Sequence, residues 1–315
     1  MRALLVVNPN ATSTSSAGRA VLTRALSSEL DLQVAHTDHR GHATELATRA
    51  STDGVDVVVV LGGDGTINEV VNGILGPPRN FGVRTSKVPA LAVVPGGSAN
   101  VFARALGISP DPLEATQQLL EAIATDSRRS LGLGHTGERW FTFNAGLGWD
   151  AEVVRTVEEH RKNGKAATPG RYCWAAVSRY FRSKHRQPLL TVELPGEDAT
   201  SGLHMVFITN TDPWTYFGAR AVRTNPGTSF AGGLGVFGLT SLGWPSVARV
   251  IPQILRREGD PRARALLRRD DVAQIRVRCA EPTGLQLDGD YLGRHAEVVF
   301  STVADAIDVL VQPNG

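Results

Sequence analysis

The chain has 315 residues, of which 42% are hydrophobic and 20% charged, and its formal net charge is +2. This length suits two ordinary domains with a substantial core, and the small net charge excludes a general attraction for nucleic acid. The two cysteines, Cys173 and Cys279, lie far apart without metal-binding neighbours, which favours free thiols in a reducing compartment.

The N-terminal segment predicts a strand, a loop and a helix. Residues 3–7 are an apolar run that ends at Asn8-Pro9, and a helical apolar stripe covers residues 17–30. Between them, Thr12 and Ser13 suit either a phosphate contact or a helix cap. No signal-peptide pattern precedes the strand, and no apolar run approaches ~20 residues. We therefore expect a cytoplasmic protein without a membrane span.

A second strand and a second helix are expected over residues 32–35 and 41–54. His42 stands at the start of this helix. A lone histidine without a paired carboxylate favours a structural role over a catalytic one.

The third predicted strand leads directly into a glycine-rich loop and a helix. Residues 57–61 are four valines and a leucine, and residues 62–66 read Gly-Gly-Asp-Gly-Thr, followed by apolar residues at helical spacing. Ligands of open α/β sheets bind at the carboxyl ends of such strands, where glycine loops and helix starts present N–H groups to anions. The loop therefore predicts a phosphate site, against the alternative of a plain tight turn.

The fourth strand, residues 90–94, repeats this pattern with a Pro-Gly-Gly-Ser-Ala-Asn loop over residues 95–100 and a helix to residue 106. A further helix is expected from Asp111, as its cap, to Ala124. Neither loop has the Walker A pattern or the dinucleotide-binding glycine spacing. Four strand–helix alternations make residues 1–129 a doubly wound α/β nucleotide-binding domain.

The second half predicts an antiparallel β-sandwich domain over residues 130–315, with the last residues able to return to the first domain. Residues 130–135 and 139–144 suggest a hairpin, and residues 143–150 suggest a turn and a helix capped by Asp150. Glycine and proline separate further short apolar runs, as in sandwich folds. The strands are expected at 189–194, 203–209, 235–239, 272–277 and 297–303. Such a domain alone suits a lectin or glycosidase, but the first half argues against this.

Two basic segments lie in the second half. Segment 152–186 has nine Lys or Arg residues against three acids, and segment 249–269 has seven arginines against two acids. Basic residues interleaved with aromatic ones suit peripheral contact with an anionic membrane surface. A solvated basic face is an equally open alternative.

Three segments resemble the diacylglycerol kinase catalytic domain, a family of bacterial lipid kinases related to sphingosine and ceramide kinases and, distantly, to NAD kinases. The first segment, Gly-Gly-Asp-Gly-Thr-Ile-Asn-Glu-Val-Val-Asn-Gly at 62–73, resembles the family signature. Segments 95–107 and 286–293 are similar to further family motifs. These two segments depart from the family motifs at three positions. Ser98 stands in place of threonine, Val101 in place of aspartate and Asp290 in place of glutamate.

The resemblance implies an ATP- and Mg²⁺-dependent kinase that phosphorylates a lipid hydroxyl, with diacylglycerol converted to phosphatidic acid as the leading reaction. Asp290 is the expected general base, with Asp288 as the fallback, and Asp64 the expected Mg²⁺ ligand. The nucleotide site is expected to comprise Asn8, Pro9, Asn10, Thr37, Gly62, Gly63, Asp64, Gly65, Thr66, Asn68, Glu69, Gly96, Gly97 and Ser98.

Several alternatives stay open. The acceptor is a membrane lipid, a sphingoid-like alcohol or a soluble molecule such as NAD, or the protein binds nucleotide and lipid without chemistry. A kinase of a bilayer lipid is expected at the inner face of the membrane, and a homodimer is left open. The loop at 230–236 lacks the acids that the family often carries there, so we expect no carboxylate-built metal site in it.

Overall fold

The computed structural model describes residues 1–11, 15–80, 88–148, 151–156, 189–218 and 220–312. The predictions for Thr12, Ser13, Asp150 and most of segment 152–186 fall outside these ranges. The chain divides into two compact units. The first comprises residues 1–133, 137–140 and 303–315, and the second comprises residues 134–136 and 141–302.

The first unit alternates strands and helices, as the sequence predicts. Its elements are β1 (Arg2–Val7), α1 (Ser16–Glu29), β2 (Asp31–His36), α2 (His42–Thr52), β3 (Val57–Gly62), α3 (Asp64–Leu75), a 3₁₀ turn (Pro78–Asn80), β4 (Ala90–Pro95), α4 (Val101–Ala105) and α5 (Pro112–Ala124).

The strands of the first unit form a parallel sheet in the order β2, β1, β3, β4. The last strand of the chain (Asp290–Leu310) adds its end to β4 in parallel, with Val309 opposite Leu91. Every residue of β3 and β4 is buried, as expected for central strands covered by helices on both faces. The carboxyl ends of β1, β3 and β4 therefore lie at one edge of the sheet.

Local capping sets the helix boundaries of this unit. The Asp111 side chain accepts hydrogen bonds from the N–H groups of Leu113 and Glu114 at the start of α5, which confirms the predicted cap. Ser15 caps α1 through the N–H of Gly18. Helix α4 begins only at Val101, because the glycine loop before it is not helical.

The second unit is built from antiparallel strands, which confirms the predicted fold class. The strands that follow α5 in the chain are β5 (Arg128–His135), β6 (Trp140–Phe141), β7 (Asn144–Gly148), β8 (Leu190–Glu193), β9 (Thr200–Leu203), β10 (Met205–Thr209), β11 (Thr215–Phe217), β12 (Arg220–Val222), β13 (Leu234–Leu239), β14 (Leu266–Val272), β15 (Gln274–Leu287) and β16 (Asp290–Leu310). Of these, β5, β6 and β16 each have residues in both units. Residues 151–156 are helical, and a further helix, α6, covers Trp244–Ile254.

Two groups of these strands enclose one core. One group runs β14, β13, β10, β7 and the end of β15, and β8 and β9 join β15 through its earlier residues. Side chains of both groups pack together, among them Leu190, Leu203, Ile208 and Val236. The change of partner along β15 coincides with a register shift between Arg278 and Thr283. Irregular pairing of this kind bends a strand.

Three local predictions for the second unit were wrong. Residues 144–148 form a fully buried strand instead of a turn, because they pair with β10 and with the end of β15. The run 203–209 is two strands, with the break at His204. The run 272–277, expected to be one strand, belongs to two strands, because β14 ends at Val272 and β15 begins at Gln274.

Gly73 tests the packing of α2 on α3. A Cβ at this position would lie 2.4 Å from the carbonyl oxygen of Thr44 and 2.7 Å from the Cβ of Ala47. We expect Gly73→Ala to destabilise the protein by about 1–3 kcal/mol through overpacking, measured as a lower urea midpoint. Gly65→Ala, on the same helix but with open space around it, should be neutral or stabilising by up to about 1 kcal/mol. Equal midpoints for the two variants would contradict this packing.

Candidate active site

Asn8 connects the end of β1 to the start of α3. Its side-chain N–H donates to the hydroxyl of Thr66 at 3.0 Å, and its backbone N–H donates to the Leu61 carbonyl at 3.0 Å. Its side-chain oxygen accepts the N–H of Asn10 at 2.9 Å. Asn8 therefore shapes the first loop of the site, and the predicted residues Pro9 and Asn10 are exposed beside it.

The two glycine loops touch each other through their backbones. The N–H of Gly96 donates to the Gly62 carbonyl at 2.8 Å. A Cβ on Gly96 would lie 3.0 Å from the backbone of Gly62, and one on Gly97 would lie 2.7 Å from the Cα of Gly63. Side chains at these positions would push the loops apart. We call these four residues the glycine cradle.

The cradle has bare backbone at the start of a three-turn helix. Helix α3 follows Gly63 directly, so its first N–H groups and its dipole favour an anion at this edge. Gly65 and Ser98 are exposed, and no atom lies within 4 Å of a Cβ placed on Gly65. This surface fits a phosphate chain, because the phosphates can come close to the protein backbone there.

Asp64 is held by the loop that follows β4. Its two carboxylate oxygens accept the N–H groups of Val101 at 3.0 Å and Phe102 at 3.1 Å. The side chain of Asn100 locks the same loop through a reciprocal pair of hydrogen bonds with Gly97, at 2.8 and 2.9 Å. Asp64 is half-buried, and a carboxylate is a ligand type that Mg²⁺ accepts alongside water and phosphate. The residues present therefore fit the expected ion.

Asn68 and Glu69 of the signature support the site indirectly, through hydrogen bonds to neighbouring segments. Asn68 is fully buried; its side chain donates to the Trp140 carbonyl at 3.0 Å and accepts two hydrogen bonds from Arg139. The Glu69 carboxylate accepts the N–H groups of Gly41 and Ala43 and so caps α2. Both side chains fix the position of α3.

Thr37 and His42 lie where β2 meets α2. The N–H of Thr37 donates to the Val7 carbonyl at 2.9 Å, which places Thr37 beside the first loop. His42 is not the lone histidine that the sequence suggested, because its Nδ1 lies 2.8 Å from the carboxylate of Asp38. The His42 ring stacks on His39, and a hydrogen bond from His39 lowers the pKa of Asp38 while Asp38 raises the pKa of His39.

The ligand atoms of Asp38, His39 and His42 lie within 4.8 Å of one another. All three side chains are exposed or half-buried. The two histidines are already hydrogen-bonded to Asp38, so we assign this cluster a role at the start of α2 and no metal.

Asp288, in the second unit, is the most fully bonded carboxylate of the predicted site. It accepts the N–H groups of Thr142, Phe143 and Asn144 at 2.6 to 3.0 Å, and the Thr142 hydroxyl at 2.8 Å. Burial raises the pKa of Asp288, and these hydrogen bonds oppose the rise. All four donors stand on one short segment, so Asp288 anchors the β15–β16 turn to it.

The turn that carries Asp290 is fixed at both ends. Asp288 and Gly289 have φ of 47° and 83°, which fits the predicted tight turn between Leu287 and Asp290. Gln286 accepts the N–H of Gly289 at 2.9 Å and donates to the Asn144 side chain at 3.0 Å. Asp290 is half-buried at the first position of β16. The turn thus holds the Asp290 backbone in one place.

The glycine loop at 230–236 receives a carboxylate from another strand. Asp271, at the end of β14, accepts the N–H of Gly233 at 2.6 Å with a φ of 60°. Its neighbour Asp270 accepts from Asn225 at 2.7 Å and from Arg268 at 2.7 Å. Sequence analysis missed both acids, because they lie about 40 residues beyond the loop.

Comparison with known proteins finds a family match in the first unit. Residues 2–129 match the family described as the diacylglycerol kinase catalytic domain. The matched segment contains both loops of the glycine cradle, together with Asn8, Thr37 and Asp64, and it ends before Asp288 and Asp290.

Relatives of the matched segment carry similar names. The chain is 33% identical over 170 residues to a diacylglycerol kinase of Bacillus subtilis, which covers 51% of this chain and 50% of that protein. It is 36% identical over 126 residues to a probable lipid kinase, YegS-like, of Chromohalobacter salexigens, covering 40% and 37% of the two chains. The chain thus matches half or less of the length of these relatives.

The fold likeness extends further than the sequence likeness. A crystal structure of a diacylglycerol kinase from Bacillus anthracis aligns with a TM-score of 0.71 at 20% identity, over 99% of this chain and 97% of that one. At this identity the likeness shows the fold. It covers both units, including the strand-rich one that follows the matched segment.

A comparison of Asp288→Asn with Asp290→Asn tests whether the Asp288 carboxylate has a structural role. Whichever way the new amide turns, its NH₂ group meets two donors that the carboxylate accepted, so we expect a loss of about 2–4 kcal/mol of stability. Asp290→Asn should leave the thermal midpoint within about 2 °C of wild type. A midpoint for Asp288→Asn that equals that of Asp290→Asn would remove the anchoring role.

Proposed function

We propose that this protein is an ATP-dependent lipid kinase that transfers the γ-phosphoryl group of ATP to the hydroxyl of diacylglycerol, giving phosphatidic acid. The family of the first unit supports the reaction class. The names of the relatives support a lipid acceptor. Of four relatives that differ in name or species, two are named diacylglycerol kinase.

The glycine cradle is the observation that carries the proposal. Four glycines in mutual backbone contact give a surface that a phosphate chain can approach, at the start of α3. We assign the phosphates of ATP to the cradle, with Thr66 and Ser98 offering hydroxyls, and Asn8 and Thr37 placed at the neighbouring strand ends.

Phosphoryl transfer depends mainly on positioning and on neutralisation of charge. A Mg²⁺ ion supplies that neutralisation when it is bound, and Asp64 is the residue that would hold it. The N–H groups of Val101 and Phe102 fix the orientation of Asp64 before any ligand arrives. Asn68 and Glu69 contribute indirectly, because they position α3 and α2.

Asp290 is the proposed general base that accepts the proton of the acceptor hydroxyl, a role typically worth ~10²–10⁴ in rate. Asp288 is unsuited to this role, since its oxygens are already occupied by four donors inside the protein. The aspartate replaces the longer glutamate of the family, and its fixed backbone sets where the shorter side chain can act.

The assay that tests the function uses radiolabelled ATP with detergent-dispersed diacylglycerol, sphingosine or NAD. We expect labelled phosphatidic acid as the main product. Label in sphingosine alone or in NAD alone would identify that molecule as the acceptor in place of diacylglycerol. Label in none of the three would favour a binding protein without chemistry. Asp64→Asn and Asp290→Asn should each lower turnover at least ~10²-fold. Asp31→Asn, an exposed acid of the same unit, is the matched control.

Gly97→Ala tests the cradle directly. Its Cβ would lie 2.7 Å from the Cα of Gly63, so the two loops must separate, and we expect ATP binding to weaken at least ~10-fold by calorimetry. Gly65→Ala leaves the loops in place, so any loss of ATP binding in that variant reports a clash with the nucleotide itself. Wild-type affinity in Gly97→Ala would place the phosphates elsewhere.

A further inference from the structure

Helix α6 presents apolar residues on two sides. Its inner side packs Val250 and Ile254 onto a cluster that contains Phe207 and Phe237 of the sheet. On its outer side Trp244 is 73% exposed and Ile251 is 46% exposed. The inner side accounts for the folding of α6, but the outer side has no partner among the described residues.

The outer apolar residues form a continuous stripe. Trp244, Ala248 and Ile251 follow the i, i+4, i+7 spacing of one helix face, and Pro252 is exposed next to them. Trp244 and Ile251 are two of the six large hydrophobic residues that are exposed in the described part of the chain. Two of them on one helix face mark a surface for interaction, whereas single exposed residues are ordinary.

Exposed arginines lie on α6 and in the chain just after it. Arg249 is exposed on the helix, and Arg256 and Arg257 are exposed shortly after its last residue, Ile254. These three arginines form no ion pair with a residue of the described ranges, whereas Arg262, Arg268 and Arg269 pair with Asp260, Asp270 and Glu197. Positive charge without an acidic partner therefore lies on α6 and immediately after it in the chain.

We propose that the outer side of α6 enters the interfacial region of an anionic lipid bilayer. Trp244 and Ile251 would lie among the headgroups and upper acyl chains, and these three arginines would contact anionic headgroups. This inference deepens the proposed function, because a kinase of a bilayer lipid must reach its acceptor at that surface. It also assigns the predicted membrane contact of segment 249–269 to one side of one helix.

A second copy of the chain is a less suitable occupant. In a two-fold interface the same patch meets itself, so the arginines on and just after one α6 would face those of the other. Like charges in such an interface weaken association. Anionic headgroups complement the arginines and the apolar stripe at the same time.

Vesicle sedimentation tests the proposal without ATP and without diacylglycerol. The wild-type chain should bind vesicles of phosphatidylcholine with 30% phosphatidylglycerol much more tightly than vesicles of phosphatidylcholine alone, and salt should weaken the binding. Trp244→Ser combined with Ile251→Ser should reduce the partition coefficient at least ~10-fold. Arg249→Gln with Arg256→Gln and Arg257→Gln should remove most of the preference for anionic vesicles.

The matched control is Val21→Ser combined with Leu113→Ser. These residues are each 59% exposed on helices of the first unit, and the variant should bind vesicles as wild type does. Brominated lipids provide a second measurement: they should quench tryptophan fluorescence in wild type, and Trp244→Phe should remove most of that quenching. Because Asp64→Asn should bind vesicles normally, failure of the kinase reaction and failure of membrane contact are distinguishable.

Two results would overturn the proposal. One is sedimentation of the Trp244→Ser, Ile251→Ser variant equal to that of wild type. The other is a wild-type chain that does not bind anionic vesicles but forms a dimer that the same variant dissociates, which would make α6 a contact between copies.

Discussion

The backbone contact between the two glycine loops is the constraint on which the nucleotide site depends. Gly96 and Gly97 lie against Gly62 and Gly63 at distances that leave no room for a Cβ. None of the four glycines has a positive φ, so their backbone conformations do not require glycine. Glycine is required here because it has no side chain. The close approach brings two strand ends together beside the start of α3.

Much of the family signature serves this contact from a distance. Asp64 ties the first glycine loop to the start of α4, Asn68 ties α3 to the segment at 139–140, and Glu69 caps α2. In each case a side chain from α3 satisfies backbone N–H or C=O groups that would otherwise be unpaired, which stabilises the loops before any ligand is bound. Asp288 acts in the same way on the turn before Asp290.

The second unit combines a conventional core with one unconventional helix. Strands β10 and β13 carry apolar side chains on both faces, and α6 covers Phe207 and Phe237 on one of them. The covering of Phe207 and Phe237 explains the apolar inner side of the helix. It does not explain the exposed tryptophan and isoleucine on the outer side. No helix within the described ranges has both the length and the apolar character needed to cross a bilayer.

Local rules in the sequence determined the strand–helix alternation, the two glycine loops, the Asp111 cap and the Asp288–Gly289 turn, because each depends on neighbouring residues. The tertiary structure alone decided which polar residues support the site: Asn68 bonds Trp140, and Asp288 bonds Thr142 across 146 positions of the chain. It also decided that residues 144–148 form a buried strand and that α6 has an exposed apolar side. Such features depend on partners brought together by folding, and periodicity and turn chemistry carry no information about partners that distant.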